Sequence, residues 1–151
     1  MVCKGFKTLE HHENDFLRLK SKVHTGRVLF SAFGQNGVNF GSNTVITFEK
    51  LFADSGEGRN FNLSTGELKI PISGIYEFSF YAARCVSGTY VYIQKNGNLD
   101  FNLYNSDSDY DSISANWQMQ LEKDDKVSLK VTSGRVYSST YTRLFSGKLL
   151  E

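Results

Sequence analysis

Three aspartates, Asp107, Asp109 and Asp111, stand at alternate positions in the segment LYNSDSDYDSIS, which runs from Leu103 to Ser114. Carboxylates at that spacing are one way to begin a calcium loop, because Ca²⁺ is a hard cation that takes roughly six to eight oxygen ligands. The EF-hand form of that loop does not continue. The sixth position from Asp107 is Ser112, where a sharp turn needs Gly, and the twelfth is Gln118, where a bidentate Glu belongs. Two readings stay open: a calcium site completed by carbonyls, waters or neighbouring subunits, and a well-hydrated acidic turn.

Other residues capable of chemistry are sparse. His11, His12 and His24 all lie near the start of the chain. His11 and Asp15 are one helical turn apart, but two ligands fall short of a tetrahedral zinc site. There is no His-Glu-x-x-His, no Gly-x-Ser-x-Gly and no phosphate-cradling loop. A non-enzyme is expected. Cys3 and Cys85 are the two thiols, and three states are open to them: paired together, bridged between chains, or free. Strict alternation from Tyr76, Phe78 and Phe80 places Cys85 on the opposite strand face, unless a bulge intervenes. Asn62-Leu63-Ser64 matches an N-glycosylation sequon.

The elements that must position these residues are mostly strands. The chain has 151 residues, a formal net charge of +1 and 14% aromatic residues. Near-neutral charge gives no support to nucleic-acid binding. No run approaches the roughly 20 apolar residues of a membrane span, and the first residues lack the apolar segment of a secretory signal. Residues 1–26 are set apart as an N-terminal helical segment: Phe6, Leu9, Phe16 and Val23 recur near helical period. That helix would either pack on its own domain or join two others as a short coiled coil.

Residues 27–151 read as one globular head. Short apolar runs alternate with Gly, Asn, Ser and Asp. Tyr76, Phe78 and Phe80 alternate with Glu77 and Ser79, as in a strand with one buried side. Val91 and Ile93 alternate with Tyr90 and Tyr92, whose second aromatic face suits an interface. Asn96-Gly97 marks a hairpin. Trp117, Met119 and Leu121 alternate with Gln118 and Gln120, and Val127, Leu129 and Val131 with Ser128 and Lys130. Phe145 and Leu149 share a face with Gly147 between them. Gly66 and Gly74 fall where turns often need a positive φ. Many short strands with frequent turns predict an all-β sandwich or jelly roll.

Several stretches, in order, resemble the globular head of complement C1q, a member of the C1q/tumour-necrosis-factor-like superfamily. They are Phe30-Ser31-Ala32, Ile46 to Lys50, Phe61 to Leu68, Pro71 to Phe80, Asn96-Gly97, Asp125-Lys126-Val127 and Phe145 to Leu150. The resemblance implies a ten-stranded jelly roll preceded here by a short helix, assembled as a homotrimer and secreted. It implies calcium near the top of the trimer, with Asp111 close to a ligand position and Asp107 and Asp109 less fixed because loop length varies. It also points to non-collagenous invertebrate relatives that act as lectin-like receptors for microbial surface carbohydrates, including acidic sugars. Tyr104, Tyr110, Asp111 and Tyr137 are the ligand-contact candidates, because Tyr faces stack on sugars and carboxylates accept hydroxyl hydrogen bonds. An extracellular cytokine-like signal or a matrix scaffold is the alternative.

Overall fold

The computed structural model describes residues 28–37, 39–55, 60–105 and 111–150. The expected N-terminal helix, Cys3, Asp107, Asp109 and Tyr110 lie outside them. The described residues form eleven strands: β1 Leu29–Gly34, β2 Thr44–Val45, β3 Lys50–Asp54, β4 Phe61–Asn62, β5 Glu67–Lys69, β6 Gly74–Cys85, β7 Thr89–Lys95, β8 Asn98–Asn105, β9 Asp111–Leu121, β10 Lys126–Ser133 and β11 Arg143–Leu149. The expected jelly roll is present. Two-residue pairings such as β2 and β4 bring the strand number above ten.

Two antiparallel sheets make the sandwich. The first, sheet A, has the order β3-β1-β11-β6-β9. The second, sheet B, has the order β4-β5-β10-β7-β8, with β2 paired to β10 beside β5. The period-two patterns set which side chains enter the space between them. Tyr76, Phe78, Phe80 and Ala82 of β6 are buried, as are Val91 and Ile93 of β7 and Val127, Leu129 and Val131 of β10. Burying each large side chain contributes about 1.5–3 kcal/mol. An aromatic group holds the centre. Phe30 stacks on Phe61 at 4.9 Å and meets Phe145 edge-on at 5.0 Å, while Phe78 stacks on Trp117 at 5.5 Å.

The turns follow their residue types. Asn96 (φ 52°) and Gly97 (φ 82°) are both left-handed, as a two-residue hairpin between β7 and β8 requires. Gly66 has φ 72°, and a Cβ there would lie 2.2 Å from the Ile46 carbonyl oxygen, so both backbone and space demand Gly. Gly74 differs from the sequence reading. It is the first residue of β6 and lies outside the left-handed set, so it serves strand entry rather than turn inversion.

Cys85 also departs from simple alternation. The β6–β9 register shifts between Ala82 and Cys85, and Cys85 is fully buried. The bulge adds a residue, which returns Cys85 to the core side instead of the outer face.

Candidate functional site

The loop end of the sandwich is built around Cys85. On one side Cys85 pairs with Asp111 of β9, and on the other it bridges to Val136 in the β10–β11 connection. Its thiol donates to the Asp111 carbonyl at 3.2 Å, and the Asn105 amide donates to its sulfur at 3.3 Å. Burial pushes the thiol pKa up, and the nearby Asp111 charge adds to that, against hydrogen bonds from Asn105 and Thr89. Such a thiol is protonated and enclosed, the opposite of the exposed thiolate that nucleophilic chemistry needs.

This arrangement gathers three of the residues singled out as ligand contacts at one end. Tyr104 and Asp111 line the same open depression of about 310 Å³, together with Leu103, Asn105 and Ser112. Tyr104 is exposed. One Asp111 carboxylate oxygen accepts the Ser112 N–H at 2.8 Å. Tyr137 lies on the far side of Cys85, its N–H donating to the Arg84 carbonyl at 3.0 Å. The Arg84 guanidinium lies 5.3 Å from the Tyr137 ring centroid and 4.6 Å from that of Tyr141, and donates to the Tyr141 hydroxyl. One face of the Tyr137 ring meets Arg84, as one face of the Tyr104 ring meets Tyr90, and Tyr104 is the more exposed of the two.

Asp111 is the one expected calcium ligand among the described residues. It supplies one exposed carboxylate, already holding an N–H of its own turn. Among the described residues no three His, Cys, Asp or Glu side chains gather to hold a metal. Calcium requires roughly six to eight oxygens, and of the three expected ligands only Asp111 is among the described residues, with Asp107 and Asp109 outside them.

Strand register also defines the two outer faces, of which the sequence pattern singled out only the Tyr90 and Tyr92 side, as one suited to an interface. On sheet A, Phe33, Leu144 and Tyr81 stand side by side across β1, β11 and β6. Phe52 of the edge strand adds its ring 5.1 Å from that of Phe33. The next row is small and polar: Ser31, Ser146, Ser79 and Asn116. Beyond it come Leu29, Lys148, Glu77 and Gln118, with Lys148 Nζ 3.4 Å from Glu77 Oε2. The low serine row leaves a depression of about 480 Å³ lined by Leu29, Ser79, Asn116, Ser146 and Gly147. Five large apolar side chains remain exposed on sheet A or just past β11: Leu29, which lines the depression, and Phe52, Ile75, Tyr81 and Leu150.

Sheet B presents a different face. Tyr90 and Tyr104 are direct cross-strand partners and stack at 4.2 Å with 20° between their planes. The neighbouring row runs Asn102, Tyr92, Lys130 and Val45 across β8, β7, β10 and β2. Tyr90 and Tyr92 are therefore outward, as their alternation with Val91 and Ile93 predicts. Lys130 and Asn102 were not recognisable as their neighbours, because pairing register is written in turns and bulges rather than in any one strand.

Comparison with known proteins agrees with this architecture. The sequence profile described as "C1q domain" matches residues 29–150. Complement C1q tumor necrosis factor-related protein 3 from Mus musculus is 30% identical over 99 residues, covering 63% of this chain and 39% of that protein, and the Homo sapiens protein of the same name matches equally. The chain thus aligns to about two fifths of the length of these relatives. Among solved structures, the globular domain of zebrafish complement 1qA superposes with TM-score 0.68 at 18% identity, covering 83% of this chain and 98% of that one. Eiger TNF from S. frugiperda gives 0.63 at 11% identity, covering 82% and 92%. These two likenesses speak for the fold. With its profile match spanning nearly every described residue, this chain belongs to the C1q domain family.

Proposed function

We propose that the chain is the head of a secreted homotrimeric recognition protein that binds carbohydrate on microbial surfaces and performs no catalysis. The observation that carries the reading is the contrast between the two outer faces. Sheet A exposes apolar side chains around a serine-floored depression, a surface whose continued exposure to water is costly. Three copies meeting through it would bury Leu29, Ile75, Tyr81 and Leu150. Sheet B, with its tyrosines and amides, would then face outward three times over. Three weak sites on one rigid body give avidity without any tight single contact.

Tyr104 and Asp111 are the ligand contacts this reading favours at the loop end. The Tyr104 ring offers an apolar face for a sugar ring, and Asp111 accepts hydroxyl protons. Tyr137, whose ring meets the Arg84 guanidinium, is a proposed contact on the other side of Cys85. Asp107, Asp109 and Tyr110 belong to the same chain segment and remain proposed contacts of the same site.

A glycan array probed with the native trimer and with a monomeric Ser79→Arg variant tests the reading. Native protein should retain microbial-type glycans, and the monomer should lose most signal while keeping its fold. A protein that ignores every glycan yet binds one extracellular protein tightly would instead be a signalling ligand of the tumour-necrosis-factor kind.

A further inference from the structure

We infer that Asn62 is an N-glycosylation site, which carries its oligosaccharide on the outer face of sheet B at the β4 edge. The inference goes beyond the recognition reading and rests only on its secreted part. Of the eleven asparagines in the chain, Asn62 alone heads an Asn-x-Ser/Thr triplet, with Leu63 between it and Ser64. The triplet states only that transfer is permitted. A folded domain keeps the adduct only where the asparagine lies on the surface and its amide nitrogen is not needed by the fold.

Asn62 meets both conditions. Its side chain is exposed. Three donors converge on Oδ1: the Ser64 N–H at 3.0 Å, the Ser64 hydroxyl at 2.7 Å and the Thr65 N–H at 3.2 Å. A backbone N–H can only donate, so the atom that receives two of them is the amide oxygen, and the nitrogen is the other one. Nδ2 has no hydrogen-bond partner among the described residues. Asn96 and Asn105 show the opposite use: Asn96 Nδ2 donates to Asp125 at 2.8 Å, and Asn105 Nδ2 donates to the Cys85 sulfur at 3.3 Å.

Register places the site clear of the sheet A face. Phe61 and Leu68 are cross-strand partners and both are buried, so their neighbours Asn62 and Glu67, also partners, stand on the outer face of sheet B. β4 is the edge of that sheet, and β8 with Tyr104 is the opposite edge. Four strand spacings of about 4.8 Å separate them, about 19 Å across the sheet. A glycan on Asn62 therefore projects from the side of the sandwich away from the serine row.

The modification also leaves the turn intact. In the transfer, Nδ2 forms a bond to C1 of a sugar held on a lipid diphosphate, the C1–O bond to the diphosphate breaks, and one amide proton is lost with no change of oxidation state. The secretory compartment supplies that donor and the transferase. The product keeps Oδ1 as an acceptor, so all three hydrogen bonds that shape the β4–β5 turn persist beneath the glycan.

The test expresses the full chain behind a secretory signal in a eukaryotic host and compares intact mass before and after an amidase that releases N-glycans. Most native copies should carry one N-glycan, and release in heavy-oxygen water should leave a labelled Asp at position 62, located by peptide mapping. Ser64→Thr should keep the glycan. Asn62→Asp and Ser64→Ala should lack it, and Asn62→Asp, which still offers an acceptor to the three donors, should be secreted folded. The glycosylated protein and Asn62→Asp should sediment with the same number of chains. Secreted native protein with an unmodified Asn62 would overturn the site and leave the recognition reading standing. A glycosylated protein that sediments as one chain while Asn62→Asp associates would overturn its placement outside the contacts between copies. Protein found only in the cytosol of its source would remove the secreted reading, and the glycan with it.

Discussion

Arg143 and Glu49 meet with guanidinium Nη2 3.3 Å from carboxylate Oε1, one almost fully enclosed and the other on the surface. The guanidinium also donates from Nε to the Thr47 carbonyl at 2.8 Å and from Nη1 to the Asn36 carbonyl at 3.2 Å. It lies 4.8 Å from the Phe40 ring centroid. One side chain at the start of β11 thus ties down the long connection from β1 to β3, which has little regular structure of its own. Arg143→Ala leaves two carbonyls without donors and should cost about 2–4 kcal/mol in urea unfolding. Arg143→Lys should recover only part, since one ammonium cannot reproduce a planar fork serving three acceptors.

The same carboxylate makes stability depend on pH. For Glu49, burial alone would raise the pKa, but the N–H groups of Asn36 and Gln35 together with Arg143 outweigh it, and the net shift is downward. The Asn96 amide and the Glu122 N–H, helped by Lys95, lower the pKa of Asp125. Both carboxylates hold protons less tightly when folded than when unfolded. Their contribution is complete above the unfolded pKa and disappears as pH falls through the folded one. The urea midpoint should therefore drop as pH is lowered through and below the ordinary carboxylate range. A Glu49→Gln/Asp125→Asn double variant should show a flatter profile over that window.

Gly147 leaves room for two rings. A Cβ at this position would lie 2.7 Å from Phe30 Cε1 and 2.7 Å from Phe78 Cδ1, and neither ring can retreat in a core that also packs Phe145 and Phe61. Gly147→Ala should destabilise by about 1–3 kcal/mol through overpacking, read as a lower urea midpoint with an unchanged slope.

Cys85 offers a probe of opening. Its thiol is enclosed and its pKa raised by burial, so a water-soluble aromatic disulfide should fail to label it in the native protein near neutral pH. Labelling should appear with the unfolding transition as urea is added. Fast native labelling of Cys85, located by peptide mapping, would contradict the bulge that turns it inward.

Much of the fold is written in periodicity. Tyr76, Phe78 and Phe80 declare which side of β6 is buried, and Asn96-Gly97 declares the hairpin, because each signal is local. The inward turn of Cys85 is not local: it depends on a bulge defined only against Asp111 on another strand. The candidate surfaces share that limit. Tyr104 and Asp111 look like loop residues in the sequence, and the structure does bring them together. Lys130 beside Tyr92 and Asn102, or Ser79 beside Ser146, emerges only when register aligns three strands. Arg84 and Arg143 gave no signal, since nothing in their flanking residues foretells the rings that enclose them.

The account turns on the outer face of sheet A being covered by two further copies of the chain. Sedimentation equilibrium of the native protein should give three times the 17.1 kDa chain mass, and Ser79→Arg, which places a long cation in the serine row, should give one chain mass with unchanged β-sheet circular dichroism. A native protein that sediments as a single chain at every concentration would contradict it, as would a Ser79→Arg variant that stays trimeric.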